Sequence, residues 1–372
     1  MPSTVASFKM FVIVGAVATA ALGQPANTPD SSYARLGELP KIEATTPPAA
    51  QIPADGEVQT LIISLADIES PDVGLSSTMS GAAFAPLDEL SEPGTVLMTD
   101  QYFKRSDALR RLVALGPAAL PALLASLDDK TPTKLTIHHK LDFGVMWFGN
   151  EIDSNPVHPV ECRVLKGWRP KLPLNAEKDS VSTYTVKIGD VCFVAIGQIV
   201  GRSYSAVRYQ PTACVVLSSP AENPKLAKAV RDIWSAPDAR KMLLESLLTD
   251  YATQGIFNGS SLDGWIIASN LQAHAATRLL YYYPKETAEL IGKRLTSLDV
   301  SQDLRASVNP LTRDSLDSSM AREVKNGVRE TDFIGAVAWC DEPPILVALQ
   351  SIREHSQDAE IRSAVQQHKQ KP

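Results

Sequence analysis

Arg202, Tyr204 and Arg208 crowd the end of an uncharged run at 191–200 that also carries Gln198. Two guanidiniums so close in sequence can fork a carboxylate or phosphate, with Gln198 and Tyr204 as orienting partners. Those four residues are therefore the candidate ligand-binding set. The same spacing admits an interior role, in which the arginines pair with acids and cap a buried helix, because cations are favourable at a helix C-terminus. A second group is His138, His139, His158 and Cys162, all of them permitted zinc ligands. Neighbouring histidines on a strand face opposite ways, and Pro156 and Pro159 interrupt a helix around His158 and Cys162, so no metal site is expected. Cys192 and Cys214 could bridge, closing a loop that the chain-entropy picture values at about 3 kcal/mol. Buried thiols are the favoured alternative, since cysteine is among the most buried residue types and a chain of this size needs no staple.

Other chemistry is thinly represented. The sequence holds no G-x-S-x-G elbow, no Walker loop, no H-E-x-x-H and no C-x-x-C, and no cofactor is expected. Cys192 sits within the apolar run, where a thiol is inert. His274, inside a helical pattern, reads as solvated or locally bonded rather than as a base. Tyr281, Tyr282 and Tyr283 could line a gripping surface, or fill gaps between packed helices. The basic stretch at 166–171 and the Asn258-Gly259-Ser260 sequon read as a solvated loop and a turn.

These residues need elements to hold them. The run at 191–200 has no charged side chain and apolar groups all round a helical wheel, which predicts a buried helix with Asp190 as N-cap. A central strand is the alternative. Gly197 would let a neighbour approach closely. Around this run the segment 130–218 is rich in Thr, Ile, Val, Tyr and Trp, which favours strands. It carries eleven Lys or Arg and seven Asp or Glu, a net of +4. Segment 130–218 therefore reads as an α+β insertion.

On either side the pattern is helical. In 106–129, Ser106 can cap a helix whose Leu109, Leu112 and Val113 share a face, and Gly116-Pro117 separates it from a second stripe at Leu120, Leu123, Leu124 and Leu127. Segment 271–299 repeats the design, with Pro284 opening its second helix, and 332–365 is a looser copy punctuated by Pro343-Pro344. Another amphipathic helix lies in 238–255, with Leu243, Leu244, Leu247 and Leu248 on its stripe. One hairpin cannot bury its own stripe, so hairpins of this kind stack. Helix pairs with a Gly/Pro turn, a small-residue first helix and an Asp after the second resemble HEAT-type α-repeats, most closely in LRRLVALGPAALPALLASLDD. The resemblance covers about half the chain. It implies a curved α-solenoid, in a family that generally binds other molecules rather than catalysing.

The fold class expected is mainly α: HEAT-like helical hairpins interrupted by an α+β insertion. Residues 1–23 read as a signal peptide, with Lys9 before the apolar run 10–22 and small residues at Ala21 and Gly23. Residues 24–58, with six prolines, read as a disordered or draped linker. The remaining divisions are 59–129 with the first hairpin, 130–218, and 219–372 with the later repeats. The formal charge of −6 becomes −7 without Lys9, and mild acidity argues against nucleic acid as partner. No later segment is long enough to span a bilayer. The sequence thus points to an exported binding or scaffolding protein whose partner is another protein or an anionic ligand. The alternative is an envelope hydrolase with its site where the insertion meets the helices.

Overall fold

The computed structural model describes residues 39–80, 83–87, 96–97, 103–139, 144–149, 180–202, 204–210, 213–252, 256–258, 268–297, 330–357, 361–363 and 365. The expected signal peptide, the basic stretch at 166–171, His158 and Cys162 lie outside them. The chain is mainly helical with a few small sheets.

Helix α1 (Glu57–Ser64) is followed by α2 (Asp107–Leu115) and α3 (Leu120–Ala125). Ser106 caps α2 by accepting the Leu109 N–H at 3.3 Å. The chain turns by 111° between α2 and α3, through the Gly116-Pro117 junction. Gly116 has φ of +56°, a conformation that costs other residues a steric clash. The stripes expected for these two helices are the faces that they bury.

Strands β1 (Met79–Ser80) and β2 (Val96–Leu97) form one antiparallel pair, and β3 (Pro132–His138) and β5 (Thr183–Lys187) form another. In the latter pair the alternation of buried Thr133, Leu135 and Ile137, and of Tyr184 and Val186, is the period-two signature of a half-buried ladder. A further sheet sets β4 (Met146–Phe148) parallel to β7 (Cys214–Leu217), with β6 (Val207–Gln210) antiparallel on the other side of β7.

Between β5 and β6 runs α4 (Ile188–Val200), and every one of its thirteen residues is buried. The helical reading of this run holds over the strand alternative. Aliphatic and aromatic groups such as Val191, Phe193, Ile196 and Ile199 each favour burial by about 1.5–3 kcal/mol, enough to draw an apolar helix to the centre. Asp190 is not the N-cap: the helix begins two residues earlier, and Asp190 stands in its first turn. Gly197 does what its position predicts. A Cβ there would come 2.5 Å from the Tyr204 Cβ and 2.7 Å from the Arg202 carbonyl, so only glycine lets the chain fold back over the helix end.

Helices α5 (Pro224–Trp234) and α6 (Ala239–Tyr251) follow, capped by Asn223 and Asp238. Then come α7 (Leu271–Tyr282) and α8 (Pro284–Thr296), and α9 (Glu330–Val337) and α10 (Pro343–His355). Helix α7 packs on α9 and α8 packs on α10, so the two pairs stack first on first and second on second. Helix α4 touches α1, α2, α3 and α6. The described part of segment 130–218 shares its core with the helices: one hydrophobic cluster runs from Ile62 through α4 to Val365.

Of the expected linker, residues 39–58 are described, and they take the draped alternative, with Leu39, Ile42 and Ala44 packed on the core and α1 already begun at Glu57. Their order also comes from hydrogen bonds donated or accepted by distant side chains, which composition does not register.

Candidate functional site

The four residues singled out by sequence sit around the C-terminal end of α4 and on β6, and three of them are buried. Arg202 forms a fork with Asp250 of α6, donating Nη1 to Oδ2 at 2.6 Å and Nη2 to Oδ1 at 3.2 Å. Both side chains are almost wholly buried, at 1% and 2% exposure. Nη1 also reaches the Gly201 carbonyl at 3.0 Å, and the guanidinium lies 5.8 Å from the Trp234 ring centre. Gln198 accepts the Ala85 N–H at 2.9 Å and so ties down the loop at 83–87. Tyr204 stacks on Phe193 with ring centres 4.6 Å apart, and its hydroxyl accepts from Trp234 Nε1 at 3.0 Å. Arg208 stands half-buried on β6, opposite Val216. The interior role left open for Arg202 is the one it has, and the ligand-fork reading is not supported for it.

Arg278 of α7 joins this end of the helix. Its Nε donates to the Gln198 carbonyl at 2.6 Å, its Nη1 to His274 at 3.0 Å and its Nη2 to Ala83 at 3.1 Å. Two guanidiniums thus serve carbonyls that a helix end leaves without intrahelical partners. Sequence reasoning missed both Asp250 and Arg278. The available signal was a charged residue on the apolar face of each helical wheel.

The N-terminal end of α4 carries a different cluster. Asp190 accepts the Lys187 N–H at 2.9 Å, the Tyr184 hydroxyl at 2.6 Å and the Ser219 hydroxyl at 2.5 Å. The first of these is the reach-back arm of a capping box. Burial pushes the Asp190 carboxyl above the ordinary carboxylate range, against the pull of these donors and of Lys187. Burial lowers the Lys187 ammonium, which pairs with Glu222.

A broad cleft of about 540 Å³ lies between α1 and α2. Its lining carries both acids, Asp67, Glu69 and Asp107, and bases, Lys104, Arg105 and Arg111. Glu57 bonds Arg111 at 2.6 Å, Lys134 meets Asp67 at 2.7 Å and Lys104 meets Glu69 at 3.6 Å. Beneath Arg105 and Ser106, Asp72 is buried and accepts the Val73 N–H at 2.7 Å. Burial raises its carboxyl to about 6, with Val73, Arg105, Ser106 and Arg110 opposing.

The remaining chemistry-bearing residues are placed as follows. Cys192 and Cys214 are unbridged, so the disulfide weighed from sequence is not formed; Cys192 is one of the wholly enclosed residues of α4, and burial pushes its thiol up. His139 Nε2 lies 3.2 Å from the Ala213 carbonyl. Among the described residues no group of His, Cys, Asp and Glu could hold a metal ion. His274 is buried rather than solvated; burial and then Arg278 lower it to about 3. The tyrosines fill the core: Tyr282 donates to the Val113 carbonyl at 2.6 Å and Tyr283 to Arg240 at 2.6 Å. Comparison with protein-family models, curated proteins and solved structures finds no match. The functional reading therefore rests on the geometry of the chain itself.

Proposed function

We propose that this chain is an exported, non-enzymatic binding module built on HEAT-like helical hairpins, and that the cleft between α1 and α2 is its docking surface. The observation that carries the reading is the cleft itself: a broad groove whose lining mixes acids with bases. Such a lining steers and registers a charged partner more than it adds raw affinity. The stacking of α7 on α9 and α8 on α10 supports the repeat architecture. The partner class that fits is a polypeptide segment of mixed charge.

The envelope-hydrolase alternative would look to Ser219, Asp190 and Tyr184, at the junction of the strand-rich segment and the helices. Ser219 is 1% exposed, donates to Asp190 and accepts the Glu222 N–H at 3.1 Å. Those are the bonds of a helix cap and a turn, and they favour the binding role.

A photo-crosslinking residue at position 104 of the full chain, exposed to an envelope extract, tests the reading. A discrete adduct is expected at 104 and none from position 347 on α10. Asp67→Lys with Glu69→Lys should reduce the adduct about tenfold, the scale of one or two rim charges. Equal labelling from both positions, or indifference to the charge reversal, overturns the proposal.

A further inference from the structure

Residues 39–52 lie along the helices as a strap. Of the fourteen, only Gln51 is buried. Besides the packing of Leu39, Ile42 and Ala44, hydrogen bonds to both main chain and side chains hold the strap. Glu286 Oε1 accepts both the Thr45 N–H at 2.9 Å and the Thr45 hydroxyl at 2.6 Å. Arg240 Nε donates to the Thr45 carbonyl at 2.9 Å. One residue of the strap thus has its donor and its acceptor read by two helices, α8 and α6. Farther along, the Ala50 carbonyl accepts from Arg111 at 2.7 Å, while Gln51 donates to the Tyr281 carbonyl at 2.7 Å.

The reading groups are set in place by the helices themselves. Arg240 and Glu286 are 3.3 Å apart, with side chains 15% and 5% exposed. Arg240 also donates to the Tyr282 carbonyl at 3.1 Å and lies 4.4 Å from the Tyr283 ring centre. A clamp that is already oriented loses little entropy when an extended segment enters. The strap suits it: Ala44, Thr45, Thr46, Pro47 and Pro48 are small or conformationally stiff, and Pro48, at φ of −52° and ψ of 144°, ends this stretch before a 3-10 turn at Ala49–Gln51. Extended proline-containing segments bind in this manner because they are ordered before they dock.

We infer that the Arg240–Glu286 clamp is a peptide-binding site for extended segments carrying a small hydroxyl residue followed by prolines, and that strap 39–52 is its resident occupant. The partner is a second protein presenting such a segment, which must displace the strap. Tethering gives the strap a high effective concentration, on the order of millimolar, and so sets the affinity a competitor must exceed. This surface is separate from the α1–α2 cleft apart from Arg111, which borders both, and the test below leaves Arg111 intact. The two readings therefore fail independently.

The test begins with the full chain carrying a protease site in the exposed turn at 54–56, cut after folding. A fluorescent peptide of residues 39–53 should bind the cut protein, freed of its strap, saturably and roughly a hundredfold more tightly than it binds uncut protein. Glu286→Gln or Arg240→Gln should weaken that binding by roughly tenfold, the loss of a charge-assisted hydrogen bond. A peptide with Thr45→Pro, which lacks the N–H, should fail in the same assay. In uncut protein, Glu286→Gln should speed proteolysis within 39–52 at temperatures well below the melting transition, where the helices stay folded. Equal binding to cut and uncut protein, or a cut chain that loses its helical circular dichroism with the strap, overturns the inference.

Discussion

At the N-terminal end of α4 a single carboxylate, Asp190, gathers one N–H and two hydroxyls. At the C-terminal end two guanidiniums, Arg202 and Arg278, gather carbonyls, and one of them also carries a buried acid, Asp250. Both arrangements follow the sign of the helix dipole. They differ in what each charge can do when it is stranded. A carboxyl can take up a proton and become neutral, and the direction in which burial moves Asp190 shows that tendency. A guanidinium cannot shed its charge in a protein, so the far end needs a permanent counter-charge in the core. The acid end is therefore adjustable by pH, while the basic end is fixed by pairing.

The strongest way to break this comparison is Asp250→Ala. It leaves Arg202 charged and unpaired in the interior, and a loss of about 3–5 kcal/mol is expected by chemical denaturation. Replacing both partners together, Arg202→Met with Asp250→Leu, should recover most of that loss. If Asp250→Ala costs less than Asp190→Asn, the fixed-pair account fails. The intermediate effect is Arg278→Met, which strips donors from the Gln198, His274 and Ala83 carbonyls. About 1–3 kcal/mol should be lost.

The smallest effect sharpens the contrast. Asp190→Asn keeps an acceptor for the Lys187 N–H and should cost only about 1 kcal/mol at neutral pH. Its signature lies in pH dependence. Because the folded carboxyl binds its proton more tightly than the unfolded one, this group favours folding most below the ordinary carboxylate range. That contribution falls as pH rises through the window between the unfolded and the raised folded value. The stability difference between native chain and variant should therefore decline with rising pH, starting near about 4. Asp72, which titrates at about 6 when folded, and His274, at about 3, tilt the total profile in opposite directions, but both are common to the pair and cancel. A flat difference curve would remove the acid end's adjustability.

Periodicity made much of the fold legible. The Ser106 cap, the Gly116-Pro117 break, the Pro284 start of α8 and the all-apolar α4 each leave a local trace, because each depends on residues within a turn or two. The polar interior left none. Arg202 finds Asp250 and Arg278 finds Gln198 across separate elements, and the angle at which helices cross is not written in either local stretch. The strap could be read as draped, but what anchors it escaped for the same reason. Its composition says correctly that it cannot build a core, but its order depends on Glu286 and Arg240, far away in the chain. Of the candidate site, Arg202 was singled out for its chemistry and its interior alternative was weighed; its partner was not. The α1–α2 cleft was not foreseen, because its rim draws ordinary solvated charges from two separate stretches.

Helix α4 is threaded through contacts with α1, α2, α3 and α6, drawn from stretches of sequence well before and after it. Stacked hairpins alone peel from an end, one unit at a time. With a common spindle shared by early and late segments, those helices should come apart together: drawn by its termini in an optical trap, this portion should yield in one rip, and the hairpins α7–α8 and α9–α10 should unravel as separate, gentler steps.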